Sequence, residues 1–577
     1  MIAASENTAD GKNQEIAFSA MKYSDFRVII ADEQHTFAYL MKGILLSLGF
    51  SKITVASSGD EAQKICAHAQ FDIYLFDCSF QNGISGLELV QHLRKNHLAP
   101  CMALMFIITG DHSRSKVLCA VEQEPDDYIV KPFSQKQFAR RLKKALAKKK
   151  DLEDIYSCIY RNDAPGAISA LEKAVSAGTP YDVYCRCLLS DYYISTGQHN
   201  LAQAVIQEGM ACSESDYLKF ALGKVLYSRK LHEESLSVIQ DVLTRRPLMT
   251  DAIEYVSKNY LSLGMPEKAI QSIRQAVALS PLSEKLLNTQ ITTALNAGDF
   301  MTARDGLALL LNVKKNSPEE VDTLLESFVQ CEFMFVENSH DPFHISSMEK
   351  VIGNIIGRYQ ACTSKDRFSM ETFKTVCEAR VALIRGETQR SKRRLYQALT
   401  AMNENNRNIA DSIKIGMYLG LLSLGEYEVA EHLSQELAGR AAASDIAMNI
   451  LDICVSRKNA EQAERRNKYQ ELNSQGIKEY KNGKLDEALR LFKEAKRKVP
   501  GNSNAILNKI QILLDMSEMQ LKQDPRNGKD AARNLIQECA SDLRLLEGIP
   551  LSKVQAERTE LLKKDFAEIQ SKTAKRQ

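Results

Sequence analysis

Four polar positions of this 577-residue chain stand at the ends of short apolar runs. Asp32-Glu33 follow residues 27–31, Asp77 follows 73–76, Thr109-Gly110 close 105–109, and 128–130 lead into Lys131-Pro132-Phe133. Open α/β sheets carry their reactive groups at the carboxyl ends of the strands, so these positions would meet along one edge. Three acids gathered there, Asp32, Glu33 and Asp77, would repel one another without a divalent cation among them, and a small hard cation such as Mg2+ takes oxygen ligands of that kind. A lysine and a hydroxyl opposite, Lys131 and Thr109, would hold the oxygens of a phosphoryl group. A strand-terminal aspartate alone could equally cap a helix or form a turn; the argument rests on the joint occurrence of these positions.

The elements that must position them lie within residues 24–150. Short β-branched or apolar runs at 27–31, 52–56, 73–76, 105–109 and 128–130 alternate with amphipathic stretches at 36–48, 59–69, 86–96, 113–122 and 134–149. That alternation predicts five βα units, hence a doubly wound parallel sheet covered on both faces by helices. Ahead of it, residues 1–23 are rich in Ser, Asn, Ala and Gln with little periodicity and read as a mobile tail.

This constellation resembles the receiver domain of two-component response regulators, over residues 27–149, because five elements occur in the right order and in the right βα context. The resemblance implies a flavodoxin-like fold and a role for each residue. Asp77 becomes the carboxylate that accepts a phosphoryl group from a phosphohistidine on a sensor histidine kinase or phosphotransfer protein. Asp32, Glu33, Asp77 and the backbone carbonyl of Ser79 hold Mg2+. Lys131 pairs with the phosphoryl charge, Thr109 moves to hydrogen-bond it, Gly110 keeps the entrance open, and Tyr128 is the switch aromatic. The Lys131–Pro132 bond is expected to be cis. Two departures stand out. The loop after Asp77 reads Cys-Ser-Phe-Gln-Asn-Gly-Ile-Ser-Gly, without the family's usual proline and one residue longer before Gly86; Pro125 replaces a small residue ahead of the fifth strand.

After residue 150 the strand signal vanishes and the chain repeats. Pro247 and Pro281 are 34 residues apart and each ends a helical pattern. The unit from Thr250 carries Ile253, Val256, Tyr260, Gly264, Ala269, Ile273 and Ala276; the unit from Asp216 carries Leu222, Gly223, Leu226, Ser235, Ile239 and Val242 at matching offsets. Leu189, Tyr193, Gly197, Ala202 and Ile206 precede them, and Ile291, Ala294, Gly298, Ala303 and Leu307 follow. The pattern resembles the tetratricopeptide repeat: small residues let two helices approach, large ones fill the gap, and a terminal proline stops the second. It predicts an all-α helical-repeat solenoid over 151–315. Residues 316–467 should be helical with degenerate repeats, Gly416, Gly425 and Ala430 marking a decayed copy. A well-formed unit with Gly476, Gly483, Ala488, Phe492, Ala495 and Pro500 returns in 468–529, and 530–577 reads as capping helices.

Composition narrows the function. Seventy-five Lys plus Arg against 73 Asp plus Glu leaves +2, so no global field recruits nucleic acid or an anionic membrane. The 13 cysteines contain no C-x-x-C pair and fit reduced thiols in a cytoplasmic protein. The run from Arg140 to Lys150 reads mainly as a solvated helix face, and His340 and His344 around Asp341 as a surface loop rather than a metal site. No Gly-rich phosphate loop or nucleophile elbow points to an output enzyme. The leading reading is a phosphorelay adaptor whose repeats bind an unidentified protein. The rivals are a transcription or RNA regulator using its basic helices, and a receiver that is never phosphorylated and serves only for docking.

Overall fold

Strands β1 Arg27–Ala31, β2 Lys52–Ala56, β3 Ile73–Asp77, β4 Leu104–Thr109 and β5 Asp127–Val130 form one parallel sheet in the order β2-β1-β3-β4-β5. The computed structural model describes residues 22–574 apart from 79, 81–82, 111–124, 315–317, 340, 363–366, 405–408, 439–445, 524–527 and 548–550. Side chains alternate along the strands with a period of two. Val28, Ile30, Leu75, Phe106 and Ile108 pack with Met41, Leu45, Phe138 and Leu142 on one face. Ile29, Ala31, Tyr74, Phe76, Met105 and Ile107 pack with Ala62, Leu89 and Leu93 on the other. Burial on both faces explains why the strands read as unbroken apolar runs.

Helices His35–Ser47 and Gln135–Asp151 cover the first face, Gly59–His68 and Gly86–Lys95 the second. Ser58, Ser85 and Ser134 cap three of them, and the backbone N–H groups of the last two donate in return to the side chains of Glu88 and Gln137. The helix expected at 113–122 falls outside the described residues. β3 reaches Asp77, one residue beyond the apolar run, because Asp77 stays in register opposite Ile108. β4 and β5 each begin one residue earlier than their side chains suggested, since ladder hydrogen bonds rather than residue type set strand ends.

The chain forms two compact units, Met1–Thr293 and Ala294–Gln577. In the first, helix Gln135–Asp151 runs through Leu152 straight into helix Glu153–Tyr160. The basic run at this junction corrects the sequence expectation in part. Arg140, Lys143, Lys144 and Lys150 are exposed, but Lys149 is buried. Its ammonium lies 3.2 Å from Asp126 and 4.1 Å from the ring centre of Tyr156, and burial pulls its pKa below the usual lysine value. Lys148 lies over Tyr184, and Arg141 pairs with Asp127. A heptad-blind reading of charge could not separate the one buried lysine from its solvated neighbours.

Helix pairs follow. Asp216–Ser228 packs with His232–Arg245, and Thr250–Ser262 with Pro266–Leu279. Gly223 lies so close to Ile239 that a Cβ there would meet that side chain at 2.4 Å. Ser235 donates to the carbonyl of Gly223 at 2.7 Å, and Ser257 to that of Ala269 at 2.8 Å. These are the same two repeat positions, bonded with donor and acceptor exchanged. Gly264 closes its first helix at φ +72°, whereas the equivalent place one repeat earlier holds Lys230 at φ +64°. A side chain there strains the left-handed backbone. Lys230→Gly is expected to raise stability by about 1 kcal/mol, read as an upward shift of the thermal midpoint.

The second unit contains pairs of different dimensions. Pro318–Ser339, Pro342–Cys362 and Arg367–Ile384 span 22, 21 and 18 residues, and Ile446–Lys481 spans 36, which accounts for the weak repeat match there. Asp411–Leu424 and Tyr427–Ala438 form a hairpin around Gly425 at φ +83°. Gly476 abuts the ring of Phe492. Helices Gly528–Leu546 and Lys553–Ala574 add Ile536, Cys539, Leu562 and Ile569 to the core that holds Ala488 and Phe492. A buried polar knot joins three segments: the ammonium of Lys392 meets Glu426, Ser503 and, at 2.8 Å, the carbonyl of Gly501. Tyr396 and the backbone N–H of Ser503 also donate to Glu426, at 3.1 and 2.9 Å.

Candidate phosphoacceptor site

The sheet order places β1 and β3 side by side at its topological switch point, so the chain leaving each strand opens a crevice at their carboxyl ends. Asp32 follows β1 and Asp77 ends β3. Lys131 follows β5, and its backbone N–H donates to the carbonyl of Thr109 at 2.7 Å, which fixes the start of its loop against β4. The Lys131–Pro132 bond is cis. The ammonium of Lys131 then reaches across the crevice and lies 2.6 Å from Oδ2 of both Asp32 and Asp77.

Electrostatics follow from depth. The Asp32 side chain is 3% exposed and that of Asp77 15%. Burial holds the Asp32 carboxyl above its usual value, against the opposing pull of Lys131 and of the Gln34 N–H, which donates to Oδ1 at 2.9 Å; the nearby Asp77 charge pushes the same way as burial. Asp77 is thus the more accessible of two carboxylates that share one cation. Gly86 sits where a Cβ would lie 1.9 Å from the Asp77 carbonyl, so the next helix packs directly on the strand end. Gly83, at φ +81°, and Asp60, which accepts from the Ile84 N–H at 3.1 Å, shape the intervening loop. A Cβ at Gly110 would meet none of the described residues within 4 Å.

Thr109 is buried beside Lys131 on the last residue of β4, in register with Val130. Tyr128 is half-buried and packs against the core that includes Tyr74 and Ile107. Glu33 follows Asp32 on the same loop and is half-buried. Ser79 lies outside the described residues. Asp32 and Asp77 present two hard oxygen donors at one point, a set that suits Mg2+, an ion that keeps several waters. Among the described residues no group of three His, Cys, Asp or Glu side chains gathers closely enough to enclose an ion alone. His340 is outside the described residues.

Sequence reasoning missed one neighbour. The ring centre of Phe37 lies 3.9 Å from the Lys131 ammonium, and Phe133 meets Phe37 edge-on at 5.9 Å. An aromatic in a first helical turn reads as core, and spacing alone carries no sign of the contact.

Residues 28–143 match the family described as the response regulator receiver domain. This part of the chain is a receiver domain, and an all-helical region follows it. Among its relatives is the chemotaxis protein CheY-3 of Vibrio cholerae serotype O1, 25% identical over 125 residues, which are 22% of this chain and 95% of that protein. Among solved structures, the receiver domain of the Francisella response regulator 1452 is 24% identical and covers 22% of this chain and 99% of its own, with a TM-score of 0.20. A tetratricopeptide repeat protein from Parabacteroides merdae is 13% identical and covers 47% of this chain and 98% of its own, with a TM-score of 0.27. Among the described residues no helix is long and apolar enough to cross a membrane.

Proposed function

We propose that Asp77 accepts a phosphoryl group from a phosphohistidine on a sensor histidine kinase or phosphotransfer protein, and that this controls how the helical repeats bind a partner protein. The observation that carries the reading is Lys131 bridging Asp32 and Asp77 at 2.6 Å. An Asp77 oxygen attacks phosphorus, the P–N bond of the donor breaks, and the imidazole nitrogen takes the electron pair. Lys131 is already placed to follow the charge from the carboxylate to the phosphoryl oxygens. Asp32 and Asp77, with Glu33 and the Ser79 carbonyl, would hold Mg2+, which supplies charge neutralisation for those oxygens. Thr109 and Tyr128 act as the switch pair.

Continuity at the junction supports the output half of the reading. Thr109 pairs in register with Val130 on β5. The same strand begins beside Asp126, which holds Lys149 against Tyr156 of the first helix beyond the receiver. A shift at the site therefore has a packed route toward the repeats. The output is binding rather than turnover of a metabolite, and near-neutral charge favours protein over nucleic acid as the partner. The cysteines whose side chains are described form no disulfide, in keeping with a reducing cytoplasm.

The test is incubation of the full chain with Mg2+ and acetyl phosphate. Intact-mass analysis should show one phosphoryl adduct that is stable in acid and lost in base, and Asp77→Ala should show none. A wild-type chain that stays unmodified would leave the docking-only reading.

A further inference from the structure

Lys131 has three N–H donors, and two are directed to Asp32 and Asp77. Its charge also lies over the face of Phe37, 3.9 Å from the ring centre. We propose that Phe37 is a positioning residue for Lys131, holding its ammonium by a cation–π contact while phosphoryl transfer replaces a carboxylate partner with a phosphoryl one; this rests on the function proposed above.

The ring is placed for that role by both loops of the site. Phe37 stands in the first turn of helix His35–Ser47, three residues after Gln34, whose N–H is held by Asp32. Phe133, separated from Lys131 only by the cis Pro132, braces it edge-on at 80°. Phe133 in turn stacks on Phe138, and Phe138 lies against Phe106 of β4. The chain of rings anchors Phe37 in the core on the β4 side of the sheet.

The physical argument concerns exchange. With acetyl phosphate as donor, an Asp77 oxygen forms the new O–P bond, the donor's bridging P–O bond breaks, and acetate leaves with the electron pair. During that step Lys131 must release an Asp77 oxygen and take a phosphoryl oxygen. A hydrogen-bonding neighbour would compete for its donors, and water would solvate the ammonium. An aromatic face does neither, yet it attracts the charge through its quadrupole and excludes solvent from one side. Leucine fills similar space without the quadrupole.

The experiment uses the full chain with mono-, di- and trifluorinated phenylalanine at position 37, together with Phe37→Leu and Phe37→Trp. Fluorine drains the π face with little change of volume. The rate of Asp77 adduct formation from acetyl phosphate should fall stepwise across the fluorinated series, by about five- to tenfold overall. Phe37→Leu should match the trifluorinated chain, and Phe37→Trp should retain the rate. A flat fluorinated series, whether Phe37→Leu is slow or not, overturns the proposal, because volume alone or nothing at all would then matter. The second measurement is the ring-current shift of the Lys131 Hε protons, expected in the wild type and absent from Phe37→Leu. A wild-type chain that forms no adduct overturns the proposed function and this role with it, while the ring-current shift reports separately whether the contact exists.

Discussion

Lys392→Met is expected to destabilise the helical unit by about 3–5 kcal/mol, measured as a drop in the denaturant midpoint of the full chain. Lys392 is 1% exposed and Glu426 0%. Burial already pulls the lysine below its usual pKa, and the Glu426 charge is what holds it up. Removing the ammonium leaves a carboxylate with hydrogen bonds from Tyr396 and the Ser503 N–H but no countercharge. The double variant Lys392→Met, Glu426→Leu should recover part of the loss, because the unpaired charge is gone while the Tyr396 hydroxyl, the Ser503 N–H and the Gly501 carbonyl lose their partners. If the single variant were as stable as the wild type, the knot would contribute no more than an exposed pair does.

Lys131→Met should slow adduct formation at Asp77 by about 10²–10³-fold, the scale of losing one preorganised charge at a developing phosphoryl centre. It should also change the pH dependence of stability. Asp32 stands above its usual value of 3.8, so the folded chain binds that proton more tightly than the unfolded one. Stability contributed by the proton is present below the unfolded value and is lost as pH rises through the folded value. Without Lys131 the folded value rises further, since two of the influences lowering it disappear. The declining limb should therefore extend to higher pH in the variant, seen in thermal midpoints collected from about pH 4 upward. Superimposable pH profiles for the two chains would show that Lys131 does not hold Asp32 in solution.

The parts of this architecture that follow from periodicity were legible in the sequence. Short β-branched or apolar runs make strands such as 27–31 and 52–56 plain, and the 34-residue spacing of small residues marks the helix pairs from Asp216 to Leu279. Asp32, Asp77 and Lys131 could be picked out because each follows a strand that the sheet must align. What sequence did not show were contacts that depend on three-dimensional adjacency between residues of ordinary type. Lys392 lies in a stretch with Arg390, Arg393 and Arg394 and reads as one more solvated cation until its neighbours from 426 and 501–503 arrive. Lys149 and Phe37 were hidden for the same reason, one within a run of surface charge and the other within the amphipathic stretch 36–48.

The junction at Leu152 has a mechanical consequence. That residue ends one helix and begins the next, and Lys149, Tyr156, Tyr160 and His97 interlock around it. No slack tether separates the input module from the first helical pair, so the two cannot pivot independently about this point. A fragment cut after residue 150 would strip Lys149 of its aromatic cover beside the Asp126 that precedes β5. Truncation at this seam therefore alters the receiver domain itself, and under the proposed function a signal crossing it would travel as strain in a rigid joint, without the reach of a swinging arm.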